Sequence, residues 1–115
     1  MKFPFVRNAL MAASAVAVLF SPSAFGFDEG AAKALAKKND CFKCHAVDKT
    51  KKGPSYKKIA SKYKGKEAEG EQKIMKNITT GPKVKLEDGT EEDHKIIDTK
   101  DTAELKNLIQ WILAQ

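Results

Sequence analysis

The sequence predicts an all-α fold: one small helical domain behind a removable leader. Apolar residues recur at helical spacing in four separate stretches, while no convincing β-hairpin pattern and no internal repeat appears. The leader comes first. Lys2 and Arg7 flank the start of an apolar run over 9–20, which is succeeded by "SPSAFG". A charged start, a short apolar centre and small residues at Ala24 and Gly26 fit a secretory signal peptide cut before Phe27. Residues 1–26 are therefore expected to be removed, leaving 27–115 as the domain. The run is shorter than the roughly 20 apolar residues that span a bilayer, and Pro22 lies just beyond it. No stable membrane insertion is expected after cleavage.

Charge is distributed unevenly. Residues 33–66 hold twelve lysines against Asp40 and Asp48, whereas 87–104 hold eight carboxylates against Lys95 and Lys100. Such asymmetry can steer a partner of opposite charge. No basic motif interleaved with aromatics is present, and export argues against nucleic acid as a partner.

Each helix has its own signals. Asp28 can cap a helix in which Ala31, Ala32, Leu35 and Ala36 recur at helical spacing, running to about Asn39. "KKGP" at 51–54 breaks the pattern; Tyr56, Ile59, Ala60 and Tyr63 then predict a short amphipathic helix stopped near Gly65. "KEAEGEQKIMKNI" predicts a third, with Ile74, Met75 and Ile78 on its apolar side and Gly70 as a weak point. Residues 79–95 are polar and read as a long loop, a length that is usually functional or disordered in a compact domain. The last helix begins near Thr99 or Asp101 and carries Leu105, Leu108, Ile109 and Ile112, with Trp111 beside them.

Both cysteines and one of the two histidines fall within five positions, Cys41-Phe42-Lys43-Cys44-His45. Three chemistries use cysteines at this separation. A structural zinc site needs about four ligands, which Cys41, Cys44, His45 and His94 would supply, but adjacent Cys44 and His45 are an awkward pair on one tetrahedral ion. A thiol–disulfide centre normally sits in a βαβ setting, which this chain lacks. Covalent haem attachment is the third, and C-x-x-C-H is its spacing. Thiols one helical turn apart can each add to a vinyl group, and the next residue offers its imidazole to iron.

The chain at this point resembles the class I c-type cytochromes, specifically the small bacterial monohaem ones. The resemblance rests on the signal peptide, a first helix ending in "NDCFKCH", the later "KKGPSYKKIASKYKG" and a last helix ending in "LIQWILAQ". It implies a small cytochrome c fold of three to five helices around one covalent haem c, an iron cofactor held by thioethers from Cys41 and Cys44. His45 would be the proximal ligand, with the Pro54 carbonyl accepting from its other nitrogen. Leu35, Tyr56, Ile59, Ile74, Ile78, Leu105, Leu108, Trp111 and Ile112 are expected to pack around the haem or between the first and last helices. Phe42 and Lys43 carry no assigned role.

One feature departs from the family pattern. Members usually place a methionine in the loop before the last helix; this loop has none, and Met75 lies on an apolar helical stripe. His94 stands close to where that methionine would lie, so His45 and His94 are the expected iron ligands. Replacing thioether by imidazole removes the feature that raises the potential of His/Met cytochromes. Asp93 or Asp98 is available to accept the free N–H of His94, although simple solvation of either is the favoured reading. The resemblance implies a periplasmic one-electron carrier, a monomer, that meets redox proteins through an acidic docking face of theirs. No catalytic set is visible, so it is not expected to be an enzyme. The alternative is a haem protein that binds or senses NO, CO or O2 at a labile distal histidine.

Overall fold

The computed structural model describes residues 26–115, so the expected signal peptide, apart from Gly26, lies outside the described residues. Asp28 starts α1 (Glu29–Lys38): its side chain accepts from the Ala31 N–H at 3.0 Å. That bond satisfies a donor the first helical turn leaves free. Lys37 and Lys38 in the last turn complement the negative end of the helix dipole. A 3-10 turn over Cys41–Lys43 comes next. Ser55 caps α2 (Tyr56–Lys62) by accepting from Lys58 N–H at 3.0 Å. The long α3 (Glu67–Thr80) ends at Gly81, left-handed with φ 60°, with Pro82 immediately after it. Asp101 caps α4 (Thr102–Leu113), accepting from Ala103 and Glu104.

The four helices of the described residues meet through α4, which packs against α1, α2 and α3. Its Trp111, Leu108 and Ile109 are the largest fully buried side chains among the described residues. Full burial of such a side chain is worth roughly 1.5–3 kcal/mol, so this one helix supplies much of a small core. Against it lie Ala32 and Ala36 of α1, Tyr56 of α2, and Ile74 and Ile78 of α3. Ala31 is exposed and Leu35 half-buried, so the face of α1 that meets α4 is lined by the smaller alanines. Ile97, absent from the expected core, is buried too, and its N–H donates to the Ile78 carbonyl at 2.8 Å.

The polar loop is not structureless. It forms an antiparallel hairpin of β1 (Lys83–Lys85) and β2 (Glu91–Asp93), pairing Lys83 with Asp93, Val84 with Glu92 and Lys85 with Glu91. Both strands are only three residues long; Lys83-Val84-Lys85-Leu86 alternates polar and apolar over just four positions, and Glu91–Asp93 is wholly charged, so the alternation is too brief to mark a hairpin. Their turn does carry a local signal: Asp88-Gly89 closes a three-residue loop, with Gly89 left-handed at φ 85°. Opposite charges face each other across the pair, and Lys83 reaches Asp93 at 3.8 Å.

Phe42 also gains a role. Its ring meets Tyr56 and Trp111 edge-on, with centroids 6.1 and 6.3 Å away, and Tyr56 meets Trp111 at 5.3 Å. This triangle ties the cysteine motif to α2 and α4.

Gly70 is a contact point and not a weak one. A Cβ there would lie 2.7 Å from the Tyr63 ring and 2.8 Å from its Cβ. Alanine gains up to about 1 kcal/mol in helix propensity, but overpacking costs typically about 1–3 kcal/mol, and the Tyr63 Cβ cannot swing aside. Gly70→Ala is therefore expected to destabilise the holoprotein by about 1 kcal/mol (the overpacking cost less the propensity gain), measured as a lower thermal midpoint; a raised midpoint would contradict this packing.

Candidate functional site

The site is built from the end of α1 outward. Asp40 adopts left-handed φ 57°, uncommon for a residue with a Cβ, and turns the chain from α1 into the 3-10 turn. Within that turn the Cys41 carbonyl accepts from Cys44 at 3.2 Å and from His45 at 3.0 Å. The two cysteines form no disulfide with one another and lie half-buried on the same short turn. Burial foremost pushes the Cys41 thiol above its ordinary pKa, which disfavours the thiolate.

The His45 ring is held on three sides. Its Nδ1 lies 2.7 Å from the Pro54 carbonyl. A carbonyl only accepts, so Nδ1 carries the hydrogen and Nε2 keeps a lone pair. Tyr56 stacks on the ring with centroids 5.3 Å apart and planes at 25°. Gly53 touches it from the third side, where a Cβ would come within 2.7 Å of Cε1. Burial lowers the imidazole pKa most; the bond to Pro54 opposes this, and the charge of His94 adds to the lowering. The neutral form is thereby favoured, which is the form that binds metals. Burial also raises the Tyr56 hydroxyl far above its usual value.

His94 stands directly after β2. Its N–H donates to the Pro82 carbonyl at 2.9 Å, closing the base of the hairpin. Its Nδ1 lies 2.9 Å from the Lys95 carbonyl, so its Nε2 is also the nitrogen left with a lone pair. Neither Asp93 nor Asp98 takes that N–H: Asp93 pairs with Lys83, and Asp98 pairs with Asn39 and Lys38. The backbone carbonyl next in the chain takes the bond instead.

The two imidazoles face one another with centroids 6.2 Å apart and planes at 33°. Two imidazoles on opposite sides of one metal ion stand roughly 6 Å apart if each bond is about 2.0–2.1 Å, the length for a first-row ion such as zinc. The observed spacing fits. Cys41, Cys44, His45, Pro54 and His94, all singled out by sequence, line one cavity of about 680 Å³. That lies within the roughly 300–1,000 Å³ of small-molecule and cofactor sites. Its apolar walls are Ile59, Ile74, Ile78, Ile97, Leu108 and Ile112, and Asn77 lines it with a buried Oδ1 that has no protein partner. A flat, mostly apolar ring fits those walls. Met75 does not line this cavity; it lines a separate open groove with Glu71, Gln72, Lys76, Thr79 and Thr80. Among the described residues no group of three or more His, Cys, Asp or Glu converges as a zinc cage requires.

The chain belongs to the cytochrome c family, whose family model matches residues 30–115. It is similar to the class 1 cytochrome MtoD from Sideroxydans lithotrophicus ES-1, with 54% identity and a TM-score of 0.71, covering 76% of this chain and 96% of that one. It is also 38% identical over 47 residues to cytochrome c-551 from Allochromatium vinosum, 41% of this chain and 50% of that protein. The chain thus matches about half the length of that curated relative. Among the described residues, four helices and a cavity of cofactor size agree with the expected fold. The protein is a small class I c-type cytochrome, a haem electron-transfer protein whose cofactor is covalently attached haem c with its iron.

Sequence reading missed Asn39. This residue is 4% exposed, and its amide nitrogen donates to the Leu35 backbone carbonyl and to the Asp98 carboxylate, both at 3.0 Å. Its Oδ1 accepts from the Asp98 N–H at 3.0 Å. Only its place beside the cysteine motif hinted at importance. The Asn39 amide first, and Lys38 after it, hold the Asp98 carboxyl below its ordinary pKa, with desolvation opposing. A depressed carboxylate contributes stability that is present above the unfolded value, about 3.9, and is lost as pH falls through the lower folded value. Asp98→Asn is expected to flatten that acid dependence, measured as denaturation midpoint against pH from about 5 downward (roughly the window in which a salt-bridged carboxylate protonates); parallel curves would contradict it.

Proposed function

We propose that residues 1–26 direct export and that 27–115 act in the periplasm as a one-electron carrier. In this reading Cys41 and Cys44 form the two thioethers, His45 is the proximal ligand and His94 the distal one. The Pro54 carbonyl orients His45 through Nδ1 and raises its basicity. The observation that carries this reading is the pair of facing imidazoles, 6.2 Å apart, each with Nδ1 tied to a backbone carbonyl. Haem iron supplies the one-electron ferric/ferrous couple. The residues supply two imidazole nitrogens and an apolar wall that limits access of water. Imidazole in place of thioether, together with the carboxylates of the hairpin, favours a low potential for this family. Among the described residues no helix is long and apolar enough to cross a membrane.

The spectrum tests the ligand assignment. His94→Ala is expected to convert low-spin ferric haem to a high-spin form that binds added ligand, and Met75→Leu to leave the spectrum unchanged. His94→Met should raise the potential, because thioether and imidazole tune it in opposite directions. A thioether charge-transfer band in the unmutated ferric protein would overturn the assignment.

Lysines rim the cavity: Lys43, Lys58, Lys62, Lys73, Lys85 and Lys95 line it. Lys43 and Lys95 are partly neutralised by Asp40, at 3.6 and 3.4 Å. Lys58 and Lys62 on α2 and Lys73 on α3 are the stronger candidates to orient an acidic redox partner. Electron transfer to such a partner should slow as salt rises, since the screening length is about 8 Å at 0.15 M. Stopped-flow rates that stay flat across ionic strength would leave these lysines as solvated surface only.

A further inference from the structure

Segment 94–98 carries His94 away from the hairpin and toward α4. Two backbone bonds hold it to α3 and its exit, His94 N–H to Pro82 and Ile97 N–H to Ile78. Its other side is held by side chains from the residues just before Cys41. Asn39 and Asp98 exchange two hydrogen bonds at 3.0 Å, and Lys95 reaches Asp40 at 3.4 Å. The Asn39 amide is anchored in turn to the Leu35 carbonyl at 3.0 Å, so three of its four hydrogen-bonding sites are used. An exposed ion pair such as Lys95–Asp40 contributes little. A reciprocal clasp anchored on the buried Asn39 amide, with Asp98 on its exposed side, is the stronger tie.

We propose that Asn39 is a positioning residue for the distal ligand: by clasping Asp98 it locks segment 94–98 to the end of α1 and keeps His94 over the cavity. This rests on the reading of His94 as that ligand. The clasp joins the stretch that precedes Cys41 to the stretch that begins at His94, 59 residues apart. Release of the histidine from the iron requires this segment to swing outward. With the clasp intact, that motion must break both bonds between Asn39 and Asp98; without it, the end of α1 holds the segment only through the exposed ion pairs Lys38–Asp98 and Lys95–Asp40, while the backbone bonds to Pro82 and Ile78 remain.

The fold contains its own control. Asn107 and Asp28 make a similar reciprocal pair, at 2.7 and 2.9 Å, joining the start of α1 to α4 away from the cavity. Both asparagines hold elements together, but only Asn39 touches the His94 segment.

The test is cyanide binding to the ferric holoprotein, in which the limiting rate at saturating cyanide reports release of the internal ligand. Asn39→Ala is expected to raise that limiting rate about tenfold, the factor that corresponds to the net worth of a hydrogen bond. Asp98→Ala, which leaves the buried asparagine in place, should raise it by a smaller factor, and Asp98→Asn, which keeps the acceptor oxygen, should restore it. Asn107→Ala should lower the thermal midpoint yet leave the rate within about twofold, since distant sites act independently. Equal rates for Asn39→Ala and Asn107→Ala, in a protein whose iron is opened by His94→Ala, would overturn the clasp alone. An unchanged low-spin spectrum in His94→Ala would overturn the ligand reading and the clasp with it.

Discussion

The orientation of the His45 ring is the constraint on which the site depends. An imidazole attached through two rotatable bonds can present either nitrogen in many directions. Here the Pro54 carbonyl at 2.7 Å selects the tautomer, Tyr56 stacks on one face, and the missing side chain of Gly53 lets the backbone approach the ring. Each of these contacts comes from the stretch over 53–56, so a single turn defines how the proposed proximal nitrogen points. Burial then favours the neutral ring. The same turn also launches α2, because Ser55 is its cap. Ring orientation and helix start are therefore set together.

From that turn the core spreads through Tyr56. Its ring contacts both Phe42 and Trp111, and Trp111 is 1% exposed on α4. The cysteine motif, α2 and α4 are thus joined by aromatic contacts as well as by the backbone. In so small a domain the protein–protein core is narrow: alanines on α1, isoleucines on α3 and one side of α4. The cavity walls are drawn from the same residues, Ile74, Ile78, Leu108 and Ile112 among them. Cofactor and core share one surface, and covalent haem is the largest apolar body available to it.

The opposite side of the cavity is held differently. The hairpin and segment 94–98 bring Val84, Leu86 and Ile97 but otherwise mostly charged side chains. They are retained by backbone bonds to Pro82 and Ile78 and by the amide clasp at Asn39. Hydrogen bonds are individually modest, so this side is the more readily opened of the two. The His45 side and the His94 side of the cavity thus differ in how each is tied, apolar and aromatic contacts on one and polar bonds on the other.

The amino-acid sequence by itself determined whatever is local. Helix-period stripes located α1 to α4, Asp28 and Asp101 marked the starts of the first and last, and the five residues from Cys41 to His45 specified attachment chemistry, because these features operate over one or two helical turns. It also pointed to His94, by its place before the last helix. Phe42, Gly70, Asn39 and the hairpin were not legible in that way. Phe42 and Gly70 matter because another element passes within contact distance, at Trp111 and at Tyr63. Asn39 matters because Asp98 lies against it, 59 positions later. Alternation in the hairpin runs only from Lys83 to Leu86 and is missing from the charged Glu91–Asp93, and the strands pair through backbone groups that every residue carries. Only the tertiary structure decided that His94 faces His45 across a cavity, since a ring-to-ring distance depends on how the helices close around it and leaves no periodic trace in the chain.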